Sequence, residues 1–209
     1  MYIPPANRVE DLATIRAFMH SHGFATIVAH ADGPMQASHV PVLLDESPSG
    51  DTLRGHMARA NEQWRLFSPD REVLCIFPGP HSYISPSWYE AKVAVPTWNY
   101  ATVHAYGRPR IETDPAFLVK VLNDTTSKYE SKMEVPWEMA VLPEEYVSSM
   151  MKAVVAFSIE ITRVEGKFKF GQNRSAADQG GMMAALDGSP DPESRMLAEF
   201  IRGQNGGPA

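Results

Sequence analysis

Aromatic rings, hydroxyl groups and an imidazole are concentrated in residues 79–89, which include His81, Tyr83 and Ser85. A rigid loop held by buried aromatic residues would explain this segment by itself. A second aromatic cluster, residues 95–100, follows closely and contains Trp98. Aromatic faces can cover a planar ring while hydroxyl groups and backbone N–H groups bind its heteroatoms and phosphate. The two clusters together predict a site for a planar, polar ligand.

A third cluster, residues 55–64, contains His56, Ala58, Arg59, Asn61 and Gln63. We expect a strand to end here and a short helix to begin, so that free N–H groups at the helix start bind a phosphate. The positive charge of Arg59 would add to that site. The alternative is an ordinary strand-to-helix corner with an aromatic residue in the core.

A fourth cluster, residues 167–174, alternates cations with phenylalanines and ends at Arg174. Lys167 and Lys169 would share one face of an extended segment, which suits an anionic ligand. An edge strand protected by lysines explains the pattern equally well.

Four histidines, His39, His56, His81 and His104, lie on or beside different predicted strands. Their spacing is too wide for a local metal-ligand motif, although strands could bring them together. We favour hydrogen-bonding roles over zinc or iron ligation, because histidine serves mostly such roles.

Composition excludes several classes of protein. The chain has 209 residues, 44% of them hydrophobic, which suits one domain with a sizeable core. A net charge of −6 disfavours extensive contact with nucleic acid. The motifs G-x-G-x-x-G, G-x-x-x-x-G-K and H-E-x-x-H do not occur, which argues against a nicotinamide or ATP enzyme of the usual design.

The lone Cys75 sits in an apolar run and is expected to be a buried structural thiol in a reducing cytoplasm. No apolar run approaches the roughly 20 residues of a bilayer span, and no secretion signal is present.

Several strands with helices at the ends are predicted from the hydrophobic pattern. A helix capped by Asn7 opens the chain, and a hairpin turns at Asp32 and Gly33. In residues 98–106 the odd positions are small and mostly apolar, whereas the even positions are aromatic or hydrogen-bonding. This alternation indicates a strand with one face in a core and the other against a ligand or partner. Helices are expected at residues 114–131 and 143–154, and two short helices beyond Arg174 precede a flexible end at residues 203–207.

These clusters, with residues 1–4 and 38–41, resemble the PaiB family, the FMN-binding negative transcriptional regulators with a split-barrel fold. The resemblance covers the chain to about Leu186. Two departures are Glu62, where proline is expected, and Gly171, where a small hydroxylated residue is expected.

The resemblance implies an α+β fold, a mostly antiparallel FMN-binding split β-barrel with peripheral helices and a helical C-terminal tail. We place the barrel domain at residues 1–187 and the tail at residues 188–209. The resemblance also implies a homodimer with FMN in clefts at the subunit interface. By analogy, residues near His39 and the corner from His56 to Asn61 bracket the phosphate and ribityl chain, while Tyr83, Ser85 and Trp98 lie near the flavin ring. The complete predicted set is His39, His56, Ala58, Arg59, Asn61, Gln63, His81, Tyr83, Ser85, Trp98, Lys167 and Arg174.

The family label implies repression of genes, but the sequence shows no helix-turn-helix with a basic recognition helix. Residues 174–202 contain three basic and five acidic residues, so regulation through a partner or a metabolite is an alternative to direct DNA binding. A second hypothesis is an FMN-dependent reductase or oxidase, with His81 and Tyr83 as candidate proton donors. A third is a haem-binding split barrel with His39, His56, His81 or His104 as axial ligand.

Overall fold

The computed structural model describes residues 1–204, of which Gly203 and Gln204 close the last helix. The rest of the predicted flexible end lies outside the described residues. Among residues 1–204, no helix combines the length and the apolar character needed to cross a bilayer.

Seven strands lie before residue 170. Their bounds are β1 Arg8–Val9, β2 Phe24–Ala29, β3 Gln36–Asp45, β4 Thr52–Ala58, β5 Val73–Ile84, β6 Thr97–Glu112 and β7 Val154–Lys169. The strand order is β1-β7-β4-β3-β2-β5-β6, and β6 also pairs with β7. Six strands therefore form a closed ring, and β1 adds to β7 as a short extra strand. The registered pairs β1–β7, β2–β3, β2–β5, β3–β4 and β4–β7 are all antiparallel. The predicted α+β class with a mostly antiparallel barrel is confirmed.

Five helices accompany the strands: α1 Leu12–Ser21, α2 Pro115–Glu130, α3 Glu144–Met151, α4 Ala176–Asp187 and α5 Pro192–Gln204. The predicted pairs of helices, before β7 and after it, are confirmed. The predicted cap of the first helix is wrong, since Asn7 lies in a 3₁₀ turn, Pro5–Asn7. Asp11 takes its place and accepts a hydrogen bond of 2.8 Å from the backbone N–H of Thr14.

The chain divides into two compact units, which we describe separately. The first, called the terminal unit, contains Met1–Ile15, Pro78–Val103 and the chain from Glu165 onward. The second, called the central unit, contains Arg16–Phe77 and His104–Val164. The division at residues 187 and 188 stays a prediction.

The core of the terminal unit lies around α4 and α5. Met182, Leu186 and Leu197 are at most 1% exposed. The rings of Phe200 in α5 and Phe168 in β7 form a T-shaped pair with their centroids 5.3 Å apart. α5 thereby covers the apolar side of β7 near the end of that strand.

The core of the central unit is formed by inward-facing strand residues. Ile27, Leu53, Cys75 and Phe157 are completely or almost completely buried. Gly107 of β6 lies so close to β7 that a Cβ atom there would be 2.5 Å from the carbonyl oxygen of Glu160. Only glycine permits this approach of the two strands.

Candidate functional site

Three rings of the terminal unit form an exposed cluster on β5 and β6. The Trp98 ring lies 6.0 Å from the His81 ring and 6.2 Å from the Tyr83 ring, between centroids. Trp98 is 54% exposed and Tyr83 is 46% exposed. Large aromatic side chains left this exposed, and grouped together, mark a binding surface.

A cavity of about 390 Å³ opens beside this cluster. Its volume lies within the usual range of small-molecule sites, about 300–1,000 Å³. Its lining combines aromatic rings with backbone and hydroxyl groups: Pro78, Gly79, His81, Trp98, Tyr100, Ala101 and Thr102. This lining suits a planar ring with polar edges, and the site predicted from the two aromatic clusters stays a prediction.

The cavity wall follows from the alternation of β6. Asn99, Ala101 and Val103 are buried, whereas the residues between them are at least partly exposed. The predicted two-faced strand is therefore confirmed, and its even positions place Trp98 and Tyr100 on the cavity side.

The first turn of α5 holds the end of β5. The backbone N–H of His81 donates to Glu193 Oε1 at 3.3 Å, and the same oxygen lies 3.4 Å from His81 Nδ1. The hydroxyl groups of Ser82 and Ser194 are 2.9 Å apart. Glu193 thus fixes the position of the imidazole at the cavity edge.

Two lysines of β7 place positive charge beside β6. Lys169 Nζ donates to the Trp98 carbonyl oxygen at 2.8 Å and also to the hydroxyl group of Thr97. Lys167 Nζ donates to the Tyr2 carbonyl oxygen at 3.0 Å and lies 5.1 Å from the centre of the Tyr100 ring. Lys167 is only 8% exposed, so its ammonium group contacts mainly the Tyr2 carbonyl oxygen and the Tyr100 ring. Lys169 is the more accessible of the two cations.

The other predicted residues of the terminal unit have local structural contacts. Ser85 accepts a hydrogen bond of 3.2 Å from the N–H of Ser87 and thereby caps the 3₁₀ turn Pro86–Trp88. The guanidinium carbon of Arg174 lies 4.6 Å from the centre of the Tyr89 ring. Gly171 has a φ of 78°, a backbone conformation that favours glycine over the expected hydroxylated residue.

In the central unit the structure brings His39, Asn61 and Gln63 to the β2–β3 hairpin. His39 Nδ1 and Thr26 Oγ1 form a hydrogen bond of 2.8 Å. Asn61 Nδ2 donates to Ser38 Oγ at 2.7 Å, and Asn61 Oδ1 accepts from the N–H of Gln63 at 3.1 Å. These bonds join the 3₁₀ turn after β4 to the hairpin.

Gln63 is a buried structural contact of that hairpin. Its amide nitrogen donates to the carbonyl oxygens of Ile27, at 2.7 Å, and Gln36, at 2.9 Å. Its side chain is 1% exposed, and its Oε1 has no hydrogen-bond partner within residues 1–204.

The predicted phosphate-binding corner has a different local structure from the one expected. In place of a helix, a five-residue 3₁₀ turn, Glu62–Leu66, follows β4, and the side chain of Asn61 already binds its first free N–H group. Arg59 donates to the carbonyl oxygens of Lys152 and Val154 and lines a separate cavity between α2 and α3. Ala58 pairs with Val154 in the β4–β7 ladder.

His56 is half-buried on β4, and its Nδ1 has no hydrogen-bond partner within residues 1–204. Burial lowers the pKa of this imidazole, because the charged form loses hydration. A neutral imidazole with one buried nitrogen can accept or donate a single hydrogen bond to a ligand.

The predicted set left out four neighbours of the cavity: Tyr100, Thr102, Lys169 and Glu193. Lys169 was recognised from the sequence only as a cation suited to an anionic ligand, and Tyr100 only as a member of the second aromatic cluster. The alternation of β6 contained the signal for Tyr100 and Thr102, which share the face of Trp98. No sequence pattern indicated Glu193, since it lies 112 residues from His81 along the chain. Within residues 1–204, no group of three or more His, Cys, Asp or Glu side chains is arranged to hold a metal ion.

Comparison with known proteins identifies a family, one relative by sequence and two solved structures of similar fold. Residues 1–163 match the family described as "Putative FMN-binding domain". The chain is 33% identical over 202 residues to "Protease synthase and sporulation protein PAI 2" of Bacillus subtilis (strain 168), covering 96% of each protein. Among solved structures, the flavocytochrome Anf3 from Azotobacter vinelandii superposes with a TM-score of 0.62 at 16% identity, over 83% of this chain and 74% of that one. A FAD and haem binding protein from Mycobacterium smegmatis gives 0.58 at 14% identity, over 83% and 78%. At these identities the two structures show a shared fold alone.

Proposed function

Because the chain belongs to the FMN-binding domain family, we propose that it is a flavin-linked regulator of gene expression that acts through a partner. The observation that supports the flavin site in the terminal unit is the cavity of about 390 Å³ edged by Trp98 and His81. FMN, when bound, supplies redox chemistry, and the chain binds and orients it.

The residues of this cavity fit a flavin ring. Trp98 offers an exposed aromatic face, and stacking on such a face contributes about 1–3 kcal/mol for a planar base. His81, held by Glu193, presents an imidazole at the same edge. Lys169 supports Trp98 through the carbonyl oxygen and adds positive charge for an anionic ligand.

Regulation through a partner is favoured over direct DNA reading by the charges of the helices. α1 contains one arginine and no acidic residue, and each of α2 to α5 has at least as many acidic as basic residues, histidine aside. No helix of residues 1–204 therefore carries a net charge above +1. A recognition helix normally needs a basic footprint, and the whole chain has a net charge of −6. The name of the Bacillus subtilis relative supports a link to protease synthesis and sporulation.

An FMN-dependent oxidoreductase is the second candidate. It is favoured by one observation, that an imidazole and a phenol, from His81 and Tyr83, flank the exposed ring of Trp98. Either group can hold a proton for a substrate beside the flavin.

The first experiment is an FMN titration followed by quenching of flavin fluorescence. We expect saturable binding by the wild type and about tenfold weaker binding by Trp98→Leu, because the stacking face is lost. Trp137→Leu is the matched control: Trp137 is also exposed but belongs to the central unit. Equal affinity of Trp98→Leu and wild type would reject the cavity as the flavin site.

A second experiment separates the regulator from the enzyme. Promoter DNA is mixed with FMN-loaded protein at low and at physiological salt. We expect any shift to disappear at physiological salt, since non-specific phosphate contacts weaken steeply with salt. NAD(P)H-driven flavin reduction that is lost in both His81→Ala and Tyr83→Phe would favour the oxidoreductase instead. A Soret band in the purified protein would favour haem.

A further inference from the structure

A cavity of about 780 Å³ in the central unit has no part in the flavin site described above. It lies between α2 and α3 on one side and the ends of β6 and the start of β7 on the other. Its volume is well within the range of small-molecule sites. None of the side chains of α3 is fully buried, including those that line the cavity.

The walls of the cavity are mostly hydrocarbon and aromatic. Trp64, Leu118, Val147, Met151 and Val155 line it from four different segments of the chain. A ligand that fills it must therefore carry an apolar body, since a polar one would lose hydration without gaining hydrogen bonds.

Two cations on the wall have hydrogen-bond donors that no acceptor among residues 1–204 engages. Arg59 donates from Nε to the Lys152 carbonyl oxygen at 2.8 Å and from Nη2 to the Val154 carbonyl oxygen at 2.9 Å. These bonds fix the guanidinium group at the cavity wall and leave Nη1 without an acceptor among residues 1–204. The ammonium group of Lys152, which also lines the cavity, forms no hydrogen bond or ion pair within the same residues.

Two of the acidic residues on the wall already have donors from the protein. Glu112 accepts a hydrogen bond from the hydroxyl group of Ser158. Asp114 accepts one of 2.9 Å from the N–H of Ala116 and caps α2. The remaining acid, Glu144, is exposed in the first turn of α3, where the positive end of the helix dipole stabilises it. Glu144, Arg59 and Lys152 are thus the charged side chains of the wall with groups that no donor or acceptor among residues 1–204 engages, and all three are exposed. The two cations, Arg59 through Nη1 and Lys152 through its ammonium group, can bind an anion.

We infer that this cavity binds an apolar monocarboxylate, with the carboxylate on Arg59 and Lys152 and the hydrocarbon or aromatic body against the wall around Trp64. Guanidinium and ammonium groups form strong, charge-assisted bonds with a carboxylate. In this assignment Arg59 serves the carboxylate and not the flavin phosphate. The inference is independent of the proposed function.

The test is calorimetric titration of the full chain with three probes that share a ten-carbon tail: decanoate, decanol and decylammonium. We expect one decanoate per chain, bound at least about tenfold more tightly than either other probe, because only the carboxylate forms charge-assisted bonds with both cations. Equal or tighter binding of decylammonium would overturn the inference.

Two matched pairs of variants locate the site. Ser148 lines the cavity and Ser149 does not, although both are exposed on α3. Ser148→Trp is expected to abolish decanoate binding and Ser149→Trp to retain it. Lys152→Gln should weaken decanoate about tenfold, whereas Lys132→Gln, an exposed lysine outside the lining, should not.

FMN affinity is measured on the same variants as an independent reading of the fold and of Arg59. We expect Arg59→Gln to lose decanoate affinity and to keep FMN affinity. Retention of decanoate by both Ser148→Trp and Lys152→Gln would place the probe elsewhere and reject the site. Loss of FMN binding with unchanged decanoate binding in Arg59→Gln would return this arginine to the flavin.

Discussion

Burial decides the chemistry of two side chains of the central unit. Burial raises the pKa of the Cys75 thiol to about 12, so the predicted structural thiol is confirmed and the residue is no nucleophile at neutral pH. For His56, burial lowers the pKa of the imidazole below its ordinary value of 6.5. The same loss of hydration acts on both residues, and in both it favours the neutral form.

The depressed pKa of His56 makes stability depend on pH. As the pH falls below about 6.5, the unfolded chain takes up a proton that the folded chain binds less readily, so the free energy of unfolding falls. We expect this decrease, measured by urea unfolding of flavin-free protein between pH 7.5 and pH 5.5, to be smaller in His56→Gln than in the wild type.

The control for this prediction is His30→Gln, because His30 is exposed between β2 and β3. It should reproduce the decrease of the wild type. The same decrease in wild type and His56→Gln would mean that His56 is charged in the folded protein despite its burial.

At the scale of elements, α4 positions the segment between β5 and β6. Asp178 Oδ1 accepts a hydrogen bond of 3.1 Å from the N–H of Ala91, and a Cβ atom at Gly181 would lie 2.1 Å from the carbonyl oxygen of Trp88. The helix therefore approaches this segment backbone to backbone, and only glycine allows the contact. The segment leads into Trp98, so its position affects the cavity.

Adjacent glycines of α4 offer a matched test of this packing. Gly181→Ala should lower the free energy of unfolding by about 1–3 kcal/mol through overpacking against Trp88. Gly180→Ala should raise it by about 0.5–1 kcal/mol, because nothing lies within 4 Å of a Cβ there and alanine favours the helix. Thermal or urea unfolding measures both.

The close approach of Gly181 to Trp88 also leads to a prediction for FMN binding. FMN affinity should decrease in Gly181→Ala and stay unchanged in Gly180→Ala, since only the first displaces the segment before Trp98. If both variants are as stable as the wild type, then α4 packs less closely than the distances indicate.

Local sequence patterns predicted which helices and strands form better than they predicted the residues at which these begin and end. The alternation along β6 and the helical spacing of α2 and α3 were sufficient, because burial of one face is a local signal. The apolar run around Cys75 predicts a strand over residues 72–77, yet β5 continues through Pro78 and Pro80 to Ile84. Proline is tolerated in a strand where the ladder needs no N–H group, and a sequence does not show which positions those are. The strand therefore carries His81, which was expected on or beside a strand.

At the scale of the whole molecule, the resemblance to the PaiB family is confirmed by the Bacillus subtilis relative, and a flavin cofactor by the matching family. The two aromatic clusters predicted from the sequence contain most of the residues that the structure places around the cavity of about 390 Å³. The contact of Glu193 with His81 and the contacts of Arg59 with Lys152 and Val154 could not be predicted, because each joins residues more than 90 positions apart. The barrel topology brings such residues together, and no local pattern encodes it.

The homodimer implied by the resemblance makes a prediction for the intact protein. If FMN lies in clefts at a subunit interface, its binding and dimerisation stabilise each other, because a ligand that contacts both chains favours the dimer by mass action. Light scattering after size exclusion should then give about 46.4 kDa, twice the chain mass of 23.2 kDa. Dilution should shift the wild type toward monomer less readily with FMN than without it.

The Trp98→Leu variant, whose flavin site is weakened, should lose this effect of FMN on dimerisation, whereas the control Trp137→Leu should keep it. A protein that binds FMN as a 23.2 kDa monomer at every concentration would show that one chain completes the flavin site alone.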